Sequence, residues 1–266
     1  MRGSRALAVA VLLLGSSGAG ESSDWLVEGE RLTYDLTYLR VTSGTLTLEA
    51  TPMVNQTTVR LASRAVSSPF VSRFARVDEQ LESILDPCSA TTLLSRRQAL
   101  HDDGFREEVV FFDPQLGIAT RFKDGREDEP LWAPPPVLDT LSALFWLRTL
   151  PLAPGAEFRL TVQSGRRVYP LLITVGPVTR LKTATGTHET LPVVPKFRDG
   201  GMLRQKGKLT LWVTNDSWHM PVRIKSELAF GSLTATLRGV ERPFQPVVQS
   251  EGTQRYERES DGPETR

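Results

Sequence analysis

A period of two runs through most of this chain, and it confines the fold to β-sheet. In Arg31–Tyr38, Leu32, Tyr34, Leu36 and Tyr38 share one face, while Thr33, Asp35 and Thr37 share the other. Successive side chains of a strand point to opposite faces, so the pattern marks a strand with one buried and one wet side. After a turn expected near Ser43-Gly44, Leu46, Leu48 and Ala50 repeat it against Thr45, Thr47 and Glu49. Further strands are predicted at Val59–Ala65, Arg76–Leu85, Thr91–Gln98, Arg106–Phe112 and Gly117–Phe122. Later ones are predicted at Phe158–Ser164, Tyr169–Val175, Lys208–Thr214, Pro221–Leu228 and Ser232–Arg238. Turn residues separate them: Asp86-Pro87, Asp113-Pro114, Asp124-Gly125, Thr185-Gly186, Asp199-Gly200-Gly201 and Asn215-Asp216.

One segment breaks the rhythm. Pro134, Pro135 and Pro136 end an extended stretch, and Asp139 then offers an N-cap carboxylate. Leu141, Leu144, Phe145 and Arg148 follow at helical spacing, and Pro151 stops the run. The spacing predicts one main helix over Asp139–Leu150. Leu138, Leu147 and Trp146 make it apolar over more than half its circumference, so it must be covered or must cover something. The flanking regions look alike: Gly29-Glu30-Arg31-Leu32 and Gly155-Ala156-Glu157-Phe158 each open an alternating strand. That likeness suggests two related β units with the helix between them.

The termini read differently. Arg2 and Arg5 precede an apolar run, Ala6–Leu14, and then small residues to Gly20. That order is the pattern of a secretory signal peptide, with cleavage expected near Gly20. No later segment is apolar enough to span a bilayer. The mature chain is therefore expected outside the cytoplasm, in the periplasm or cell envelope of a bacterium, as one β-rich domain over 21–242. From Pro243 the alternation stops, Gln249–Arg266 is rich in Glu, Arg, Gly, Ser and Asp without apolar partners, and a disordered tail is expected over 243–266. Net charge is only +1, which gives no bulk attraction to nucleic acid. Cys88 is the one cysteine, so no internal disulfide can hold the fold.

Residues able to do chemistry are scattered. His101, His188 and His219 have no second metal ligand at a useful spacing, and no metal or cofactor is expected. His101-Asp102-Asp103-Gly104 reads as a hairpin turn. Phosphate-binding glycine loops and nucleophile elbows are missing from the sequence. Asp35, Asp78, Glu79 and Glu82 lie on predicted strands, where two converging carboxylates could cleave a glycoside. A solvated sheet face accounts for them as well. Asn55-Gln56-Thr57 fits a glycosylation sequon but is a common tripeptide.

The aromatic residues, among them Tyr34, Tyr38, Phe111, Phe112, Phe122, Trp132, Phe145, Trp146, Phe158, Trp212 and Phe230, are spread over strands and helix. They can fill a β core beneath the helix. Alternatively they line the concave face of a curved sheet, with Tyr34, Leu141, Leu144, Phe145 and Trp212 as candidate contacts to a lipid or acyl chain.

Several stretches carry a family resemblance. They are Gly29-Glu30-Arg31-Leu32-Thr33-Tyr34-Asp35, Asp139–Arg148, and, near the end, Leu211-Trp212-Val213-Thr214-Asn215-Asp216, Pro221-Val222-Arg223-Ile224 and Phe230–Ala235. On these the chain resembles the bacterial exported family of domain of unknown function 3108, over roughly Val27–Val240. The resemblance implies no activity and no catalytic residue. Leu211–Ile224 also looks, more loosely, like periplasmic lipoprotein carriers and related β-spiral envelope proteins, which implies an open or barrel-like, strongly curved antiparallel sheet with a helical plug. The resulting expectation is a mainly β, non-catalytic envelope protein that binds an apolar ligand or a partner protein in support of envelope maintenance. A purely structural protein and a carboxylate enzyme acting on cell-wall glycan stay open as alternatives.

Overall fold

The structure, a computed structural model, describes residues 25–53, 57–73, 76–102, 104–197, 209–228 and 231–243. The signal segment, the Asn55 sequon, Phe230 and the chain beyond Pro243 lie outside these residues. One helical turn, α1 (Trp25–Glu28), leads into β1 (Glu30–Tyr38), β2 (Val41–Pro52), β3 (Val59–Ser67) and β4 (Val77–Asp86). Next come β5 (Thr91–His101), β6 (Gly104–Asp113), β7 (Ile118–Lys123), β8 (Arg126–Glu127) and β9 (Leu131–Trp132). Helix α2 (Thr140–Trp146) follows, then β10 (Glu157–Ser164), β11 (Arg167–Val175), β12 (Thr179–Thr183) and β13 (Gly186–Phe197). The described chain closes with β14 (Leu209–Thr214), β15 (Pro221–Leu228) and β16 (Gly231–Glu241).

All named strands join one antiparallel sheet in the order β10-β11-β13-β14-β15-β16-β1-β2-β3-β4-β5-β6-β7-β8, with β12 on β13 and β9 on β7. The first strand therefore sits in the interior, flanked by β2 and the last strand, β16. One meander runs outward from β1 to β8, and the second starts at the opposite margin with β10 and returns. Helix α2 stands between them in sequence. The sheet is strongly curved and not closed, and the connector before α2 joins the β10 margin to β5. Thr92 N donates to Val137 O at 2.9 Å on the β5 side. Leu138 N donates to Thr161 O at 3.0 Å, and Gln163 N to Leu138 O at 2.8 Å, on the β10 side.

The concave face encloses the main core. Leu32, Leu48, Leu61 and Leu85 from one meander meet Ile173, Leu191, Leu211, Val213 and Leu237 from the other, with Leu141 and Phe145 of α2 between them. Asp139 fixes where the helix starts. Its carboxylate accepts from Leu141 N at 3.1 Å and Ser142 N at 3.0 Å, which satisfies donors that a helix N-terminus leaves open. Ser83 Oγ of β4 and Thr92 Oγ1 of β5 also donate to it, at 2.9 and 3.2 Å. A buried carboxylate needs such partners, and here they tie the cap to the sheet. After Trp146 the helix tightens to a 3-10 turn over Leu147–Thr149. It ends at Leu150, which is extended because Pro151 follows.

Three details depart from the sequence reading. The first hairpin turns at Leu39 and Arg40, with φ of 48° and 68°, and Gly44 lies inside β2. A Cβ at Gly44 would sit 2.1 Å from Val66 O of β3, so this glycine permits close backbone approach and does not make a turn. The predicted Thr185-Gly186 turn is present, but the strands flanking it, β12 and β13, were not predicted. Pro192 and Pro195 within β13 hide its strand pattern. Helix α2 buries Leu141, Ser142, Ala143 and Phe145, while Leu144 is half-buried.

Candidate functional site

The five candidate ligand contacts gather in one place. Tyr34, Leu141 and Phe145 are buried within the main core, and Leu144 and Trp212 pack against it half-buried. Tyr34 Oη donates to Pro221 O at 2.7 Å, and burial holds the phenol far above its ordinary pKa range. The side chains of Tyr34, Leu141 and Phe145 themselves occupy the space beneath the helix.

Beside them lies a buried ion cluster. Arg148, from the 3-10 turn, is 1% exposed, and Glu30 of β1 is wholly buried. Arg148 donates to the Glu30 carboxylate at 2.7 and 3.2 Å and to Trp218 O at 3.3 Å. Arg242, just past β16, donates to Glu30 at 2.7 Å and stacks over Trp218, 3.8 Å from its ring centre. His219 Nδ1 lies 2.8 Å from Arg148 O. One carboxylate thus links the first strand, the helical segment and the end of the last strand.

The four carboxylates considered for glycan cleavage do not converge. Arg64 holds Asp78 through contacts of 2.8 and 3.0 Å, Arg60 holds Glu82 at 2.7 Å, Arg97 holds Glu79 at 2.8 Å and Arg238 holds Asp35 at 3.3 Å. The Arg64 guanidinium keeps Asp78 below the usual carboxylate range, opposite to what a general acid needs. The histidines stay apart: His188 lies 3.0 Å from Thr185 Oγ1, and His101 ends β5. Among the described residues no three His, Cys, Asp or Glu groups converge as a metal site. The Cys88 thiol is exposed. Two open clefts flank the sheet. One, of about 350 Å³, is lined by Arg97, His101, Arg106 and Lys123; the other, of about 330 Å³, by Arg31, Arg60, Arg64 and Arg96 with Glu49 and Glu82.

Polarity inverts along the sheet. Antiparallel partners directly opposite each other point to the same side, so the register assigns every residue to a face. On the concave side one row reads Leu32, Leu48, Ser63, Leu81, Arg97, Glu108 and Lys123 from β1 to β7. It is apolar where α2 packs and charged beyond. The convex side runs the other way. Over β1–β3 it carries Arg31, Thr33, Thr47, Glu49, Arg60 and Arg64. Over β4 and β5 it mixes Gln80, Glu82, Arg96 and Gln98 with Ile84 and Leu94, and over β6–β9 it carries Val109, Phe111, Ile118, Phe122 and Trp132 beside Glu107. Trp132 is 72% exposed and Phe111 50%. Phe111 and Phe122 pack edge to face, 5.8 Å apart and at 85°. Beneath them Val110, Phe112, Ala119, Ala133 and Val137 form a second buried cluster on the concave side. Around Val109–Phe112 the sheet is apolar on both faces and covered on one, while Arg97, Glu108 and Lys123 keep the rest of this concave side charged.

A sequence signal for this patch existed. Val109-Val110-Phe111-Phe112 is a continuous apolar run, the pattern of a strand covered on both sides. Phe111, Phe122 and Trp132 were counted only as possible core or cavity aromatics.

Comparison with known proteins agrees with the architecture. The family described as a protein of unknown function, DUF3108, matches residues 33–238. No curated protein matches the chain. A β-barrel-like protein of domain of unknown function 1849 from Brucella abortus is similar in structure, with a TM-score of 0.56 at 12% identity, over 80% of this chain and 97% of that one. A DUF1089 family protein from Pseudomonas aeruginosa gives a TM-score of 0.37 at 13% identity, over 68% and 89% of the two chains. A Bacteroides fragilis protein with a YmcC-like fold, whose export is inferred, gives 0.30 at 11% identity, over 80% and 95%. The first of these supports the fold alone.

Proposed function

The chain belongs to the DUF3108 family, and on that premise we propose that it is an exported, non-catalytic binding protein of the bacterial envelope that docks a partner protein on its convex apolar face. The observation that carries this reading is the inverted polarity of β6–β9. A soluble surface rarely keeps a contiguous aromatic patch without a use for it. Trp132 and Phe111 are the exposed anchors, and aromatic anchors dominate protein interfaces. Two further observations favour surface binding over chemistry or an internal ligand. The candidate acid-base carboxylates are each held by an arginine. An acyl chain beneath α2 would have to displace Tyr34, Leu141 and Phe145. Among the described residues no helix is long and apolar enough to cross a membrane, and export rests on the N-terminal pattern of the sequence.

The test is photocrosslinking in intact cells. A photoreactive residue at Phe111, Phe122 or Trp132 is expected to form a discrete covalent adduct, whereas one at Thr47, on the polar part of the same face, forms none. Equal adducts from position 47, or none from any of the three aromatic positions, would remove the reading.

A further inference from the structure

Resting on the convex-face reading above, we infer that the partner on this face is a second copy of the chain, related by a two-fold axis that runs along the strands between β6 and β7. The inference comes from the charge order of one row. Arg96 of β5 pairs with Val109 of β6, Val109 with Phe122 of β7, and Phe122 with Glu127 of β8. All four side chains therefore face the convex side. Across β5–β8 the row spans three strand spacings, about 14 Å, with a cation on β5, two apolar residues in the middle and a carboxylate on β8; beyond Arg96 it continues to Glu82 of β4, which Arg60 holds at 2.7 Å. Arg96 is exposed, and its ion-pair partner among the described residues is Glu107, at 3.8 Å. Glu127 is exposed and makes no ion pair among the described residues.

Such a row is self-complementary in one orientation. A two-fold axis lying in the interface along the strands reverses the order of strands in the second copy. Arg96 then faces Glu127 of the other copy, Glu127 faces its Arg96, and Val109 faces its Phe122 across the axis. An axis across the strands would instead set Arg96 against Arg96 and Glu127 against Glu127, which like-charge repulsion disfavours. The contact is isologous, so each residue is used twice. Two sheets packed face to face would cover Phe111 and Trp132, as in a β-sandwich. The continuous apolar run Val109–Phe112 would then be covered on both sides, as its composition requires.

The test is sedimentation of the full mature chain, with melting curves confirming that each variant is folded. Wild type is expected to dimerise, and Phe111→Ser to shift it to monomer. Arg96→Glu or Glu127→Arg alone is expected to weaken dimerisation about tenfold, because each creates two repulsive contacts. The double variant, Arg96→Glu with Glu127→Arg, is expected to recover affinity to within about threefold of wild type, since it restores both pairs with signs exchanged. A wild type that stays monomeric up to about 0.1 mM, where an interface of standard size would have assembled, overturns the inference. If position 111 still crosslinks a different protein in cells, the convex-face reading survives that result; if it crosslinks nothing, both fall. A dimer indifferent to Phe111→Ser, or a double variant no better than the single ones, overturns the inference as well.

Discussion

Replacing Glu30 by Gln keeps the shape of the buried ion cluster and removes the carboxylate that Arg148 and Arg242 share. Arg148 would then stay buried without that countercharge. It keeps the Trp218 carbonyl, at 3.3 Å, and the Phe145 ring, whose centre is 5.6 Å from the guanidinium carbon. Arg242 would lose the same carboxylate but keeps its stack over Trp218 and a route to solvent, with its side chain 20% exposed. Most of the penalty therefore falls on Arg148. Breaking a buried pair by removing one partner costs about 3–5 kcal/mol. For a domain of this size that corresponds to a fall in Tm of roughly 10 °C. The assay is urea unfolding of wild type, Glu30→Gln, Glu30→Met, Arg148→Met and the double variant Glu30→Met with Arg148→Met, fitted by linear extrapolation. The double variant should be more stable than the sum of its two single changes, because no buried charge is left unpaired. If Glu30→Gln unfolds within about 1 kcal/mol of wild type, inside the range of exposed ion pairs, the cluster does not hold β1, the helical segment and the end of β16 together. Strict additivity of the two methionine changes would refute the reasoning as well.

Phe145→Ala should cost about 3–5 kcal/mol in the same assay, because it opens a cavity between α2 and the sheet, whereas the half-buried Leu144→Ala should cost clearly less; the reverse order would mean that α2 is rotated from the position described. Gly44→Ala should destabilise by about 1–3 kcal/mol or more through its clash with Val66 O, and a melt unchanged from wild type would show that β2 and β3 do not approach so closely. For Asp78, whose pKa is depressed by Arg64, the ion pair contributes stability above the ordinary carboxylate range and loses it as pH falls through the lower folded value. Since the pair is largely exposed, the contribution is small, about 0.2–1 kcal/mol. Asp78→Asn should therefore lower stability slightly at pH 7, less in high salt, and flatten the acid side of the stability curve; an unchanged acid limb would count against the pairing.

The sequence alone determined most of the strands, where the helix starts and where most turns fall, but not β8, β9, β12 or β13. Those choices are local: alternation reports which side of a strand is buried, Asp139 reports a cap, and Pro151 reports a stop. It also identified the family and brought Tyr34, Leu141, Leu144, Phe145 and Trp212 together as one apolar group. Tertiary structure alone decided how that group packs, since a filled core and a lined cavity share a hydrophobic pattern and differ only in packing. It alone placed β16 beside β1, and it made Glu30, Arg148 and Arg242 one cluster although 118 and 212 residues separate Glu30 from its two partners. Ser83 and Thr92 look like interruptions of an apolar face until the cap carboxylate appears between them. The convex patch is the same lesson in reverse. Alternation says that two faces differ but not which one a curved sheet turns outward, and around Val109–Phe112 both faces are apolar. Only the register, the curvature and the placement of Ala133 and Val137 decide that there the concave face is covered and the convex face exposed.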